Sequence, residues 1–166
     1  SHGLFAGTSA TTFSPDDSMT RAMLVAVLWR LDGRPESDAA ASFADVADGA
    51  WYADAVRWAT AQGIVAGVGH GRFDPAGKIT REQMAAILYR YAAWKGYDTA
   101  ARADLQTFPD AGSVSAWARE AMAWANAAGL ISGTQTGGAA LLDPAGHATR
   151  AQVAAILQRF VTRVTP

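Results

Sequence analysis

One ordered set of residues occurs three times in this 166-residue chain. Self-similarity at a fixed interval decides architecture before any local propensity does. The middle copy runs Gly63-Ile64-Val65-Ala66-Gly67, then Phe73-Asp74-Pro75, then Ile79-Thr80-Arg81. The same order precedes it at Gly3-Leu4-Phe5-Ala6-Gly7, Phe13-Ser14-Pro15 and Met19-Thr20-Arg21, with Gly3 to Gly63, Pro15 to Pro75 and Arg21 to Arg81 all 60 residues apart. It follows again at Gly129-Leu130-Ile131-Ser132-Gly133, Leu142-Asp143-Pro144 and Ala148-Thr149-Arg150. That interval grows from 66 (Gly67 to Gly133) to 69 (Arg81 to Arg150), so three extra residues sit in the loop containing Gly137 and Gly138.

A second block precedes two of the three copies. Phe43-Ala44-Asp45 leads to Trp51 and Trp58-Ala59, and Phe108-Pro109-Asp110 leads to Trp117 and Trp124-Ala125. The chain therefore divides into the second half of a repeat at 1–33, a whole repeat at 43–96 and another at 108–166, forming one compact unit. The linkers are Asp32 to Ser42 and Lys95 to Thr107. The missing first helix reads as truncation of a longer protein. No signal peptide is visible at Ser1-His2-Gly3-Leu4-Phe5.

Each whole repeat reads as helix, loop, helix. Trp51, Ala55, Trp58, Ala59 and Gln62 fall at helical spacing, and Gly63 and Gly129 stop the first helices. Ile64-Val65 and Leu130-Ile131 are short apolar segments that leave small paired strands open. Thr20, Thr80 and Thr149 cap the second helices, since a hydroxyl accepts from an orphan backbone N–H. Gln83 and Gln152 complete capping boxes; Met23 has no side-chain acceptor for one. Behind each cap runs a matching apolar stripe: Leu24, Val27, Leu28, Leu31; Met84, Ile87, Leu88, Tyr91; Val153, Ile156, Leu157, Phe160. Three equivalent stripes predict an all-α protein with a central three-helix bundle and the other helices outside it.

Half the residues are hydrophobic, enough for a core, and the formal net charge is −1 with no basic block. That argues against nucleic acid as a partner. No apolar run is long enough to span a membrane. The absence of cysteine removes disulfides, thiolate metal sites and thiol nucleophiles. His2, His70 and His147 lack metal spacing, so no metal or cofactor is expected. Gly67-Val68-Gly69-His70-Gly71 neither follows a clear strand nor opens a helix, so it is no phosphate loop. Every carboxylate that suggests acid–base chemistry recurs with the repeat, so no catalytic residue is assigned and no enzyme is expected.

In sum the signposts are Phe-x-Asp, Trp, Trp-Ala, Gly-Ile-x-x-Gly, Phe-x-Pro and Ile-Thr-Arg. This pattern resembles the S-layer homology repeat, closely over Phe43 to Gly96, in altered form over Phe108 to Arg163 and as a half copy over Gly3 to Gly33. The resemblance implies a pseudo-threefold prism around the central bundle, with ligand grooves between neighbouring repeats. It implies an extracellular place on the bacterial cell wall, within an S-layer or surface protein. The implied role is non-covalent anchoring through a secondary cell-wall polysaccharide, often one carrying pyruvylated amino sugars. The family's helix start usually reads Thr-Arg-Ala-Glu; here Met23, Gln83 and Gln152 stand at its last position.

A pyruvyl ketal brings a carboxylate, and a helix start offers N–H groups and the positive end of its dipole. An arginine at the first helical position adds a bidentate fork. Arg21, Arg81 and Arg150, behind Thr20, Thr80 and Thr149, are the candidates, with Lys78 as an added cation in the middle copy. Trp51 and Trp117 are candidate sugar platforms, and Asp45 and Asp110 candidate acceptors for sugar hydroxyls. Family geometry pairs Arg21 with the Asp45/Trp51 block, and Lys78 and Arg81 with the Asp110/Trp117 block. Arg81→Ala is then expected to cut binding and leave the fold intact. Structural readings stand beside these. The arginines can bond a neighbouring aspartate to lock repeats together. Asp45 and Asp110 can serve their own loops, and Trp51 and Trp117 can be core like Trp58 and Trp124. A rival function is self-association, through the incomplete first repeat, without glycan binding.

Overall fold

The computed structural model describes residues 17–37, 43–132, 134–136 and 139–165. The Gly3 to Pro15 signposts, His2, Gly133, Gly137 and Gly138 lie outside them. Three helices begin directly behind the threonines: α1 (Arg21–Leu31), α3 (Arg81–Lys95) and α5 (Arg150–Arg163). Each threonine is extended and its hydroxyl accepts from the N–H of the third helical residue, that of Met23, Gln83 or Gln152. Gln83 and Gln152 return the bond to the threonine N–H at 3.0 Å, completing both capping boxes. α1 has only half of this arrangement, because Met23 carries no acceptor.

The shorter helices are α2 (Ala53–Ala61) and α4 (Arg119–Ala127), the latter preceded by a 3-10 turn at Ala116–Ala118. Both run out at left-handed glycines, Gly63 (φ 73°) and Gly129 (φ 77°), where a side chain would be strained. The chain then dives inward: Ile64, Val65, Leu130 and Ile131 are buried loop anchors and form no strand. Among the described residues the strands are those of a short antiparallel hairpin, β1 (Thr134–Thr136) and β2 (Ala139–Leu141), with Thr134 opposite Leu141, and isolated bridges such as Ser18 with Thr149 and Thr80 with His147 add to them. The hairpin occupies the loop lengthened by three residues. The described chain is otherwise helical and loop, an all-α protein.

Helix α1 packs against α2, and α3 against α4, so each tight pair joins the second helix of one repeat to the first helix of the next. The three apolar stripes are buried throughout apart from Leu31, which is half-buried. Each full Leu, Ile, Val or Phe burial contributes roughly 1.5–3 kcal/mol. α1 and α3 are enclosed on most faces, with Ala22, Val25 and Ala26, or Ala85, Ala86 and Ala92, buried beside the stripe. In α5 the buried hydrophobics are the stripe alone. Trp58 and Trp124 are core.

Backbone hydrogen bonds tie the repeats into a cycle ahead of the long helices. The N–H of Met19 donates to the carbonyl of Ala148 (2.9 Å), that of Ala148 to Ile79 (3.1 Å), and that of Ile79 back to Met19 (2.8 Å). These three residues are equivalent in the repeat register. A second cycle surrounds the first. Arg21 N–H donates to Gly77, Arg81 N–H to Gly146 and Arg150 N–H to Asp17, each at 2.8–2.9 Å.

Candidate functional site

This second cycle changes what the helix starts can do. The first N–H groups of a helix lack intrahelical partners and are a ready anion site only while they stay free. Here Arg21 and Ala22 donate to Gly77 and Pro75, Met23 to the Thr20 hydroxyl and Leu24 to the Thr20 carbonyl. Arg81 and Glu82 donate to Gly146 and Pro144, and Gln83 and Met84 to Thr80. Every orphan donor of α1 and α3 is thus met from within the protein.

The guanidinium groups are turned inward too. Arg21 is 7% exposed; its Nε donates to the Phe73 carbonyl and a terminal nitrogen to the Ala66 carbonyl, both at 3.0 Å. Its guanidinium carbon lies 4.9 Å from the centre of the Phe73 ring. Arg81 is 6% exposed and its Nε donates to the Leu142 carbonyl at 2.9 Å. Burial pushes both guanidinium pKa values below their usual range, against the opposing charges of Asp74 and Asp45 or of Asp143 and Asp110. The carboxylates of Asp45 and Asp110 bond elsewhere, and the repeats are bolted by arginine-to-carbonyl bonds rather than the ion pairs weighed from the sequence. Nε of Arg150 is buried and has no partner among the described residues.

Asp45 and Asp110 lock their own loops. The carboxylate of Asp45 accepts from the N–H groups of Phe73 and Asp74, each at 2.8 Å. Asp110 does the same for Leu142 (2.9 Å) and Asp143 (2.8 Å). Those clasps hold Asp74 and Asp143 in positive φ, 62° and 49°. Lys78 is exposed, in a bridge opposite Thr20.

Trp51 and Trp117 are not core, at 50% and 55% exposure. Trp117 borders a cleft of about 460 Å³, within the usual range for small-ligand sites. One wall is Arg21 with the loop 65–68, and the other is the face of α3 carrying Gln83, Ala86, Ile87 and Arg90. Three repeats therefore meet at this cleft. Arg21 lies within reach of the Asp45 charge and Arg81 of the Asp110 charge, as paired from the sequence, while Trp117 shares this cleft with Arg21, and Trp51 and Lys78 are not in its wall. The cause lies ahead of α4, where both the N–H and the hydroxyl of Ser115 donate to the Glu82 carboxylate, at 2.9 and 2.8 Å. That clamp sets the Trp117 turn on α3.

Arg90 is the cleft residue that sequence reasoning missed. Its signal was available, because Arg30, Arg90 and Arg159 recur at the same intervals of 60 and 69 as the helix-start arginines.

The model of the S-layer homology domain matches residues 1–22, 42–85 and 107–154. The "Surface-layer 125 kDa protein" of Lysinibacillus sphaericus is 30% identical over 163 residues, covering 98% of this chain and 13% of that protein. An amylopullulanase of Thermoanaerobacterium thermosulfurigenes is 34% identical over 151 residues, covering 91% of this chain and 8% of the enzyme. The chain thus spans only a small part of these relatives, enzymes included. In fold it is similar to an undecaheme cytochrome from the S-layer of Carboxydothermus ferrireducens, with a TM-score of 0.53 and 20% identity over 97% of this chain and 20% of that one. No helix among the described residues is long and apolar enough to cross a membrane.

Proposed function

The chain belongs to the S-layer homology domain family, and we propose that it anchors a bacterial surface protein non-covalently by binding an anionic secondary cell-wall polysaccharide in the Trp117 cleft. Surface-layer relatives carry the same unit, and an enzyme relative shares it as a minor part of its length, as befits a non-catalytic attachment module. We read the three repeats as a pseudo-threefold prism around α1, α3 and α5, and the two hydrogen-bond cycles support that reading.

One observation carries the function: a tryptophan left more than half exposed at the mouth of a cleft lined by arginine. Exposing that much aromatic surface forgoes burial energy that Trp58 and Trp124 collect in the core. The flat face of an indole suits the apolar face of a pyranose ring, and the arginines supply positive charge for a pyruvyl carboxylate. The wall of loop 65–68 is held in place by Arg21 through Ala66.

The test is co-sedimentation with purified cell walls, before and after chemical removal of pyruvate. The chain is expected to pellet with intact walls and to stay in the supernatant with stripped ones. Equal pelleting in both, or none in either, contradicts the reading. Sedimentation velocity over a concentration series covers the rival: growing oligomers with no wall binding favour self-association.

A further inference from the structure

Resting on that glycan-binding reading, we propose that Arg90, not the helix-start Arg21, takes the carboxylate of the ligand, and that Arg21 is a positioning residue. Arg90 stands on the fourth position of the α3 stripe Gln83, Ala86, Ile87, Arg90, which follows the i, i+3, i+4, i+7 spacing of one helix face. It is exposed, and among the described residues it carries no hydrogen bond and no ion pair. All five of its donors are therefore available for a planar, bidentate grip.

Arg21 is committed in two directions, to Phe73 and to Ala66, with its face against the Phe73 ring. The backbone N–H groups of its helix start are spent on the neighbouring loop. Arg21 has spent two of its five N–H donors on the cleft wall and is 7% exposed, so it can offer a ligand only a fixed and largely enclosed remainder, whereas Arg90 is exposed with all five free. The equivalents of Arg90 are placed differently. Arg159 reaches back to the Leu130 carbonyl at 3.5 Å. Arg30 already has an interaction of its own, and its helix offers Met23 where α3 offers Gln83. The combination of an uncommitted arginine, a glutamine and an exposed tryptophan thus occurs at the Arg90 cleft.

The experiment titrates the whole chain with two probes, a pyruvyl-ketal amino-sugar methyl glycoside and the methyl ester of the same compound. The ester keeps the shape and removes the charge. Wild type is expected to prefer the acid by roughly 10- to 100-fold, as a charge-assisted contact implies. Arg90→Gln is expected to bind acid and ester alike, near the wild-type affinity for the ester, and Arg90→Lys to restore part of the preference. Arg90→Gln retaining the full wild-type preference overturns the assignment to Arg90. If Trp117→Ala then loses both probes, the anchoring function still stands. Wild type binding neither probe overturns the anchoring reading and this inference together.

Discussion

The backbone N–H of Arg21 donates to the carbonyl of Gly77 across 2.8 Å, so the helix start of one repeat is closed by the loop of the next. Arg81 and Gly146, and Arg150 and Asp17, repeat the relationship around the cycle. The helix start that the repeat pattern marks so clearly is a joint. Its arginine side chain extends the joint sideways, onto the Phe73 or Leu142 carbonyl, and the space a ligand can use lies beside it.

Arg81→Ala is expected to destabilise the fold by about 1–3 kcal/mol, because the Leu142 carbonyl loses its buried partner. This differs from the expectation of an intact fold, which treated the guanidinium as free. Urea unfolding of the variant should show a lower midpoint at an unchanged slope. An unaltered midpoint contradicts the joint.

Gly67 is required for its size. A Cβ there would lie 2.6 Å from Cε1 of Phe43 and 2.7 Å from the Arg72 carbonyl oxygen, and backbone cannot swing aside as a side-chain tip can. Gly67→Ala is expected to cost about 1–3 kcal/mol through overpacking. Because Gly67 also lines the cleft, glycan affinity should fall with it. Thermal melts and binding isotherms of the variant check both, and full retention of either value refutes the corresponding half.

Asp45 predicts a pH dependence. The Phe73 N–H, then the Asp74 N–H and the charge of Arg72, hold its carboxyl below the ordinary 3.8 against the opposing effect of partial burial. A folded-state value below the unfolded one gives stability that is present above about pH 4 and is lost as pH falls through the folded value. Asp45→Asn, which cannot offer two acceptor oxygens, should be less stable than wild type near neutrality. The gap should narrow as pH falls below the ordinary carboxylate range, where the wild-type carboxyl takes up its proton. Denaturant titrations across that range decide it, and a gap that stays constant or widens speaks against the clasp.

Much of this architecture is legible before any coordinates. Threonine followed by arginine marked all three long helices, and the glutamine at the third helical position separated full capping boxes from the half box of α1. The stripe from Met84 to Tyr91 gave the core face of α3. What stayed hidden depends on which repeat touches which. Trp117 and Arg21 are 96 positions apart and share a cleft only because Ser115 clamps to Glu82. Asp45 has a carboxylate that suits either a sugar hydroxyl or two backbone N–H groups, and residue type alone does not choose between them. Arg90 was visible as a repeated residue, but Arg30 and Arg159 share its register without sharing its freedom. The β1–β2 hairpin arises where three added residues break the repeat, so no other copy announces it.

The most direct test of the account is calorimetric titration of purified wall polysaccharide into wild type and Trp117→Ala. The exposed indole contributes little to the fold, so the variant should unfold at the wild-type denaturant concentration while its affinity falls roughly tenfold or more. Equal affinities in the two proteins, with the folds matched, would contradict the claim that this cleft holds the glycan.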